Sequence, residues 1–320
     1  MQIPGIHHVT AVASDPQQNV DFYVGILGLH LVKRTVNFDD PGTYHLYYGD
    51  AAGSPGTIMT FFAWPGAPRG QVGTGQVSVT SFSIPSAGTG YWHDRLSGHA
   101  TAVDEPRARF DEQVIAFADP DGLPLELVAP ARGDERPGWP GGPVPERYGI
   151  RGFHSVTLAE RGLNEGARTT RLLTDALGFR PIAEAENRGR YALGAGGPGA
   201  LVDVLSLPDA AAGQIAAGTV HHVAWRTPDD EQQAAWRQRL LGLKIDVTPV
   251  RDRQYFRSIY FREPGGVLFE IATDPPGFGI DESTDALGSG LRLPPWLETR
   301  RGQLERSLPP LRLPEIVRGL

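Results

Sequence analysis

Apolar and polar residues alternate along short stretches of this chain, and longer amphipathic runs separate those stretches. The alternation in YHLYYGD (44–50) and FRSIYFRE (256–263) is typical of half-buried β-strands. The runs VDFYVGIL (20–27) and QQAAWRQRLL (232–241) have helical spacing, and each follows an Asp that can cap a helix, Asp15 or Asp229. The pattern therefore predicts short strands interleaved with short helices, in an α+β fold.

This pattern occurs four times in one register. The opening strands contain HVT, SVT, SVT and HVA, which begin at residues 8, 78, 155 and 222. A Gly that can end the helix follows at residues 28, 98, 178 and 242. The final strands place Thr60, Glu126, Asp203 and Glu270 at equivalent positions, each four residues after a Gly. The sequence therefore predicts four βαβββ modules.

A segment rich in Pro and Gly separates the first two modules from the last two. We expect one domain of two modules over residues 1–131, a linker over 132–149, a second domain of two modules over 150–274 and a C-terminal arm over 275–320. The arm is predicted to be extended, with one short helix. It should pack on the body or on a neighbouring subunit through its apolar residues, which are Leu293, Trp296, Leu297, Leu304, Leu308 and Leu311.

Composition excludes several classes of function. The 320-residue chain has a net charge of −7 and no block of Lys or Arg, which argues against a nucleic-acid partner. It has no Cys, so disulfides, thiolate nucleophiles and iron–sulfur clusters are excluded. It contains neither an apolar run long enough to span a membrane nor a secretory signal. We therefore expect a cytoplasmic protein with no membrane partner.

The candidate chemistry lies at the repeated positions. His8 and His222 share a register with each other, and Glu270 stands at the acid position of the last module. Two imidazoles and one carboxylate on short apolar strands are the ligand set of an open-sided mononuclear metal site, as in non-haem Fe(II) oxygenases. Because neighbours on a strand face opposite sides, His7 and His8 are not expected to reach the metal together, and the same holds for His221 and His222.

The two central modules lack this set. Ser78 and Ser155 stand at the His positions, so the acids Glu126 and Asp203 are expected to serve structure. His154 falls one residue before the ligand register. The other His residues are expected to be solvated or structural, namely His30, His45, His93 and His99.

These residues and spacings resemble the vicinal oxygen chelate superfamily, which includes glyoxalase I, bleomycin-resistance proteins, fosfomycin-resistance enzymes and extradiol dioxygenases. The resemblance covers about residues 3–273. The stretches GIHHVTAVASDPQQNVDFYVGILGLHLVKRTVNFDDPGTYHLYYGD and LPPWLETRRGQLERSLPPL are closer still to the branch that contains hydroquinone 1,2-dioxygenases. The resemblance implies two tandem glyoxalase-like domains and a ring-cleaving dioxygenase that opens a hydroquinone or catechol ring with O₂. It implies Fe(II) as cofactor, with Mn(II) or another divalent metal as the alternative.

The resemblance also implies residue roles. The metal ligands would be His8, His222 and Glu270, while Thr60 stands where a fourth ligand would be and leaves three protein ligands. A three-ligand face leaves room for a phenolate and O₂, and it weighs against a glyoxalase-type site. The residues implied around the metal are Thr10 for substrate binding and His7, Arg253 and Tyr260 for proton transfer or charge compensation.

Two other functions stay open at this point. One is a metal-dependent isomerase, lyase or thiol transferase of the glyoxalase type, which a thiol-dependent conversion without O₂ would indicate. The other is a non-enzymatic small-molecule binding protein, whose relatives usually lack metal ligands. The expected partners are a small aromatic substrate and O₂. The sheet edges and the apolar arm favour a homodimer or homotetramer.

Overall fold

The computed structural model describes residues 1–99 and 102–313, apart from the side chains of residues 163–165. Four modules of one strand, one helix and three strands follow one another, which confirms the predicted βαβββ repeat. Module one has β1 (Ile6–Ala13), α1 (Pro16–Val20), β2 (His30–Val36), β3 (Tyr44–Gly49) and β4 (Ile58–Ala63). Module two has β5 (Gln76–Ser83), α2 (Thr89–Gly98), β6 (Arg107–Arg109), β7 (Glu112–Ala118) and β8 (Pro124–Ala129).

The second half repeats this order. Module three has β9 (Gly152–Glu160), α3 (Gly162–Arg171), β10 (Arg180–Ala185), β11 (Arg188–Ala192) and β12 (Leu201–Ser206). Module four has β13 (Val220–Thr227), α4 (Asp230–Gly242), β14 (Arg251–Asp252), β15 (Phe256–Arg262) and β16 (Leu268–Pro276). A fifth helix, α5 (Arg301–Ser307), lies in the arm. Among the residues described, no helix is long and apolar enough to cross a membrane.

The modules assemble into two eight-stranded sheets. The first sheet has the order β14-β15-β16-β13-β1-β4-β3-β2, and the second has the order β10-β11-β12-β9-β5-β8-β7-β6. Antiparallel pairing of β1 with β13 therefore joins modules one and four, and pairing of β5 with β9 joins modules two and three. Each sheet takes modules from both sides of the linker, and the division of the chain at residues 131 and 150 stays a prediction. The fold class, with its glyoxalase-like modules, is confirmed.

A repeated turn explains the Gly that precedes each final strand. Gly56, Gly122, Gly199 and Gly266 all have positive φ, between 85° and 110°, a conformation that strains other residues. Each stands two residues before β4, β8, β12 or β16 begins. The same left-handed turn precedes the final strand in every module. The spacing from this Gly to the following Thr, Glu or Asp is therefore fixed.

The helix boundaries only partly match the sequence prediction. Asp15 and Asp229 cap α1 and α4 through their carboxylates, as expected. A π-helical segment continues α1 over Asp21–Ile26 and α3 over Leu172–Ala176, and Gly28 and Gly178 adopt the left-handed conformation just after these segments. Gly98 and Gly242 do not, because α2 and α4 include them as their last residues. After α4, the left-handed residue is Lys244 instead.

The arm begins with a clamp around one buried cation. Lys33 on β2 is fully buried, donates to Asp281 Oδ1 at 2.6 Å and to the Phe278 carbonyl at 3.2 Å, and forms an ion pair with Glu282. Its ammonium also lies 5.0 Å from the ring centroid of Tyr255. Three segments that are distant in sequence therefore meet at one lysine.

The rest of the arm packs on the body as predicted, with one exception. Leu293, Leu297, Leu304 and Leu308 are buried in the main core, whereas the side chain of Trp296 is about half exposed. The predicted short helix is α5. The arm residues 314–320 lie outside the described part of the chain.

We expect Lys33→Met to destabilise the protein strongly and to loosen the arm. Within the described part of the chain, the change leaves the buried Glu282 side chain with Arg292, 3.1 Å away, as its only cationic partner. Breaking a buried ion pair typically costs about 3–5 kcal/mol. Urea unfolding should show the loss, and limited proteolysis should cut the arm sooner. The matched control is the exposed Lys244→Met, which should change stability by less than about 0.5 kcal/mol. Equal stability of the two variants would mean that the contacts of Lys33 with the arm do not stabilise the protein.

Candidate metal centre

His8, His222 and Glu270 meet in the middle of the first sheet. His8 lies on β1, His222 on the adjacent β13, and Glu270 on β16 beside β13. The two Nε2 atoms are 3.3 Å apart. Glu270 Oε2 lies 3.3 Å from His8 Nε2 and 2.9 Å from His222 Nε2. All three side chains are buried. The pairing of modules one and four thus brings together two His residues that are 214 positions apart.

These three atoms have the spacing of ligands on one face of a metal ion. Ligands that lie about 2.1 Å from a metal and 90° apart are about 3 Å from each other. Among the residues described, no well-aligned hydrogen bond reaches Glu270 Oε2, although it is close to both imidazoles. The other oxygen, Oε1, accepts a hydrogen bond from Ser258. A buried carboxylate oxygen is costly without a partner, so the arrangement fits a bound divalent cation.

The ionisation of the site suits a cation as well. Burial alone would raise the pKa of Glu270, but the adjacent His8 and His222 hold that pKa well below its usual range. Burial lowers the pKa of His222. Both shifts favour the forms that bind a metal, which are an ionised carboxylate and a neutral imidazole.

Each His ligand candidate touches the His that precedes it in sequence. The Nδ1 atoms of His7 and His8 are 2.9 Å apart, and those of His221 and His222 are 2.8 Å apart. Such a contact holds one hydrogen. When the hydrogen sits on His8 or His222, the Nε2 of that residue keeps a lone pair directed at the shared point. His7 and His221 thus orient the candidate ligands His8 and His222 and are not placed to bind the metal themselves.

A cavity of about 410 Å³ opens onto the trio. Its polar lining includes Thr10, His45, Tyr47, His221, Arg253 and Tyr260. Its apolar wall consists mainly of Phe38, Phe62, Trp64, Phe256 and Leu268. An apolar, aromatic-lined cavity with a few convergent polar groups is typical of a small-molecule site.

One wall of the cavity carries a fixed positive charge. Arg253 Nε donates to the Tyr260 hydroxyl at 3.1 Å, and its guanidinium also pairs with Asp39 at 2.9 Å. Burial, and then the nearby Glu270, raises the pKa of Tyr260 above its usual range. Tyr260 therefore keeps its proton at neutral pH and can donate a hydrogen bond.

The structure brings most of the residues singled out from the sequence to this cavity. His8, His222, Thr10, Arg253 and Tyr260 line it, and the fully buried Glu270 lies beside the two imidazoles. His7 does not line the cavity. It lies behind His8, and its ring is 5.1 Å from the ring of Phe256. His7 therefore contacts two lining residues, His8 and Phe256, and not the cavity itself.

Sequence reasoning did not assign a site role to seven polar residues of the cavity, which are Asn37, Asp39, His45, Tyr47, His221, Thr248 and Arg251. Strand register gives a signal for one of them. Tyr47 pairs with Thr60 as Tyr260 pairs with Glu270, so Tyr47 is the counterpart of Tyr260 in module one. Extra residues in the β3–β4 loop hide this relation, because Tyr47 precedes Thr60 by three residues more than Tyr260 precedes Glu270.

The equivalent place in the second sheet is filled by ion pairs. Arg109 binds both oxygens of Glu126 at 2.7 Å, and Arg190 contacts Asp203 at 2.7 and 3.1 Å. Arg190 also reaches Glu112 at 2.6 Å, and Glu112 in turn contacts His154 at 2.8 Å. Guanidinium groups thus neutralise the acids of modules two and three, which supports their expected structural role.

Sequence comparison identifies related proteins. Residues 5–127 and 162–271 match the family model described as Glyoxalase/Bleomycin resistance protein/Dioxygenase superfamily. MhqO of Bacillus subtilis (strain 168), named as a ring-cleaving dioxygenase, is 46% identical over 98% of each chain. The chlorohydroquinone/hydroquinone 1,2-dioxygenase of Sphingobium indicum is 36% identical over 96% of this chain and 98% of its own.

Solved structures agree in fold. A crystal structure of a protein described as a dioxygenase from Bacillus subtilis superimposes with a TM-score of 0.92 at 45% identity, over 98% of each chain. Glyoxalase I from Zea mays superimposes with a TM-score of 0.62 at 14% identity, over 84% of this chain and 92% of its own. The second likeness concerns the fold alone.

Proposed function

The chain belongs to the glyoxalase/bleomycin resistance protein/dioxygenase superfamily, and we propose that it is a non-haem Fe(II) enzyme that opens a hydroquinone or catechol ring with O₂. That it is a dioxygenase follows from full-length relatives at 36–46% identity, which are named ring-cleaving dioxygenases. The metal and the class of aromatic substrate are the proposed parts.

One observation carries the proposal. Three donor atoms, all buried, form a single face and leave the opposite side open to a cavity with an aromatic wall. Thr60, at the position equivalent to Glu270, supplies a hydroxyl in place of a carboxylate. Two imidazoles and a carboxylate with open positions are the set that suits Fe(II) and O₂ chemistry. Mn(II) binds similar ligands and is the alternative metal.

Each group of residues would have a distinct role in the reaction. His8, His222 and Glu270 would hold the iron, which when bound supplies electron transfer between the aromatic ring and O₂. Phe62, Trp64 and their neighbours would bind the ring and exclude water. Tyr260, with its proton retained, would donate a hydrogen bond to an oxygen atom, and Arg253 would offset negative charge that develops there.

The remaining parts of the proposal concern roles and assembly. Thr10 would contact the substrate, and His7 would act by fixing the orientation of His8. We keep the expected homodimer or homotetramer and the cytoplasmic location, which sedimentation analysis and cell fractionation can test.

Oxygen uptake tests the proposed function. Metal-free protein would be reconstituted anaerobically with Fe(II) and offered a panel of catechols and substituted hydroquinones in an oxygen-electrode cell. We expect one O₂ consumed per ring opened, with a new ring-opened chromophore. Mn(II) and Zn(II) reconstitution are the metal controls.

One outcome would contradict the proposed metal, and another would contradict the proposed reaction. Uptake supported by Mn(II) and not by Fe(II) would replace the metal and keep the reaction. No uptake with any metal, together with a thiol-dependent conversion, would instead favour the isomerase or thiol-transferase function. The Glu270→Ala variant shows whether the observed uptake depends on the candidate centre.

A further inference from the structure

A chain of four hydrogen-bonded side chains runs beside the cavity that Arg253 and Tyr260 also line. The Tyr47 hydroxyl lies 2.9 Å from His45 Nδ1, and His45 Nε2 lies 2.9 Å from Thr60 Oγ1. Thr60 Oγ1 lies 2.9 Å from Thr10 Oγ1. Thr10 stands two residues after His8 on β1, so the chain ends beside the candidate metal centre.

Both ends of the chain face the cavity, and Thr60 in its middle is buried. Tyr47, His45 and Thr10 line the cavity, and Thr60 lies behind them. Thr10 and Thr60 are completely buried, and Tyr47 is nearly so. The contact between Thr10 and Thr60 is therefore closed to bulk water, whereas His45 is partly exposed to the cavity.

The number of hydrogens gives the chain two equivalent states. A neutral imidazole and three hydroxyls hold four hydrogens, but three contacts use only three of them. Burial lowers the pKa of His45 well below its usual range, so the imidazole is neutral at rest. The spare hydrogen lies either on Thr10 or on Tyr47, depending on the direction in which the chain is polarised.

The position of the chain in the repeat is also informative. In module four, Ser258 donates to Glu270 from a residue two positions before Tyr260. In module one, His45 contacts Thr60 from a residue two positions before Tyr47. A side chain that can both accept and donate a proton thus replaces the serine, and a hydroxyl replaces the metal-binding carboxylate.

We propose that Thr10, Thr60, His45 and Tyr47 form a proton relay that removes the hydroxyl proton of a phenolic substrate at the metal centre. The substrate O–H bond breaks as its proton passes to Thr10 Oγ1. The Thr10 proton passes to Thr60, the Thr60 proton to His45 Nε2, the His45 Nδ1 proton to the Tyr47 oxygen, and the Tyr47 proton to water in the cavity. The same number of hydrogens remains on the chain, with its polarity reversed. This inference rests on the proposed function, because it needs a substrate with an ionisable hydroxyl.

The experiment follows ionisation of a bound ligand without turnover. Fe(II)-loaded protein would be mixed anaerobically with 4-nitrocatechol in a stopped-flow cell, where absorbance reports the anion and a pH indicator reports released protons. Thr60→Val keeps the shape of the side chain and breaks the relay at its centre. The matched control is Thr227→Val, on β13 of the same sheet, whose buried hydroxyl has no hydrogen-bond partner among the described residues.

We expect proton release to slow by about 100-fold in Thr60→Val and in His45→Phe, the lower end of what positioned acid–base groups contribute. The affinity for Fe(II) and the rate in Thr227→Val should not change. Binding and proton release at the wild-type rate in Thr60→Val would overturn the relay and leave the proposed function intact. Failure of the Fe(II)-loaded wild-type protein to bind any member of the panel of catechols and hydroquinones would overturn both.

Discussion

Glu270→Gln should weaken Fe(II) binding by at least about 100-fold and abolish ring cleavage at ordinary metal concentrations. Loss of residues that only support a metal ligand costs 10–100-fold in affinity, so loss of a ligand's charge should cost no less. The amide keeps the size of the side chain and can still accept from Ser258. Anaerobic equilibrium dialysis measures the affinity, and thermal unfolding with and without Fe(II) gives a second readout because a bound metal stabilises the folded state.

A matched variant separates this effect from general damage. Glu126→Gln changes the acid at the equivalent position of module two, where Arg109 binds the carboxylate and Ser81 stands close by. It should lose stability without losing Fe(II) affinity. If Glu126→Gln and Glu270→Gln weakened metal binding equally, the three-residue face of the first sheet would not be the metal centre.

The sequence was sufficient for the repeat and for the three candidate ligands, since both depend on register. A left-handed Gly turn and a parallel strand pair place Glu270 opposite Ala224, two residues after His222, and place Thr60 opposite Thr10, two residues after His8. Because the same local geometry occurs in each module, equal spacing in sequence becomes equal position in the sheet.

The sequence was not sufficient where residues from different modules meet. Nothing in a single module indicates that β1 pairs with β13, and this pairing creates the cavity. His45 was expected to be solvated or structural because its partners, Tyr47 and Thr60, become visible only when β3 and β4 are aligned in space. Asp39 reaches Arg253 from a turn in module one for the same reason.

The second sheet shows what balances the charge of the buried acids where the imidazoles are absent. Two carboxylates at the ligand register, Glu126 and Asp203, remain buried, and a buried carboxylate needs a cation. Arg109 provides it from β6, two strands away from Glu126, and Arg190 provides it from β11, the strand next to Asp203. A single-sequence pattern does not reveal these partners, because Arg190 connects Asp203 of its own module to Glu112 of module two.

Arg190→Met should therefore destabilise the second sheet strongly, with a loss of about 3–5 kcal/mol in the free energy of unfolding. Arg190 is buried, and its removal leaves Asp203 with Arg188 and Glu112 with His154 as their remaining partners. Methionine fills a similar volume, so the effect comes from uncompensated charge. Urea unfolding measures the loss, and Arg257→Met, which breaks an exposed ion pair with Asp230, is the control with an expected loss below about 1 kcal/mol.

Acid unfolding gives an independent check on the same residue. Burial alone would raise the pKa of Glu112, but contacts with His154 and Arg190 lower it from 4.5 to about 2. A carboxyl whose pKa is lower in the folded state stabilises the fold above its unfolded pKa, and that stability is lost as pH falls through the folded pKa. The wild-type protein should lose this contribution between pH 4.5 and about 2. In Arg190→Met the Glu112 pKa should rise, so that the loss begins and ends at higher pH. If the loss of stability at low pH is the same in Arg190→Met as in the wild-type protein, Arg190 does not hold Glu112 ionised.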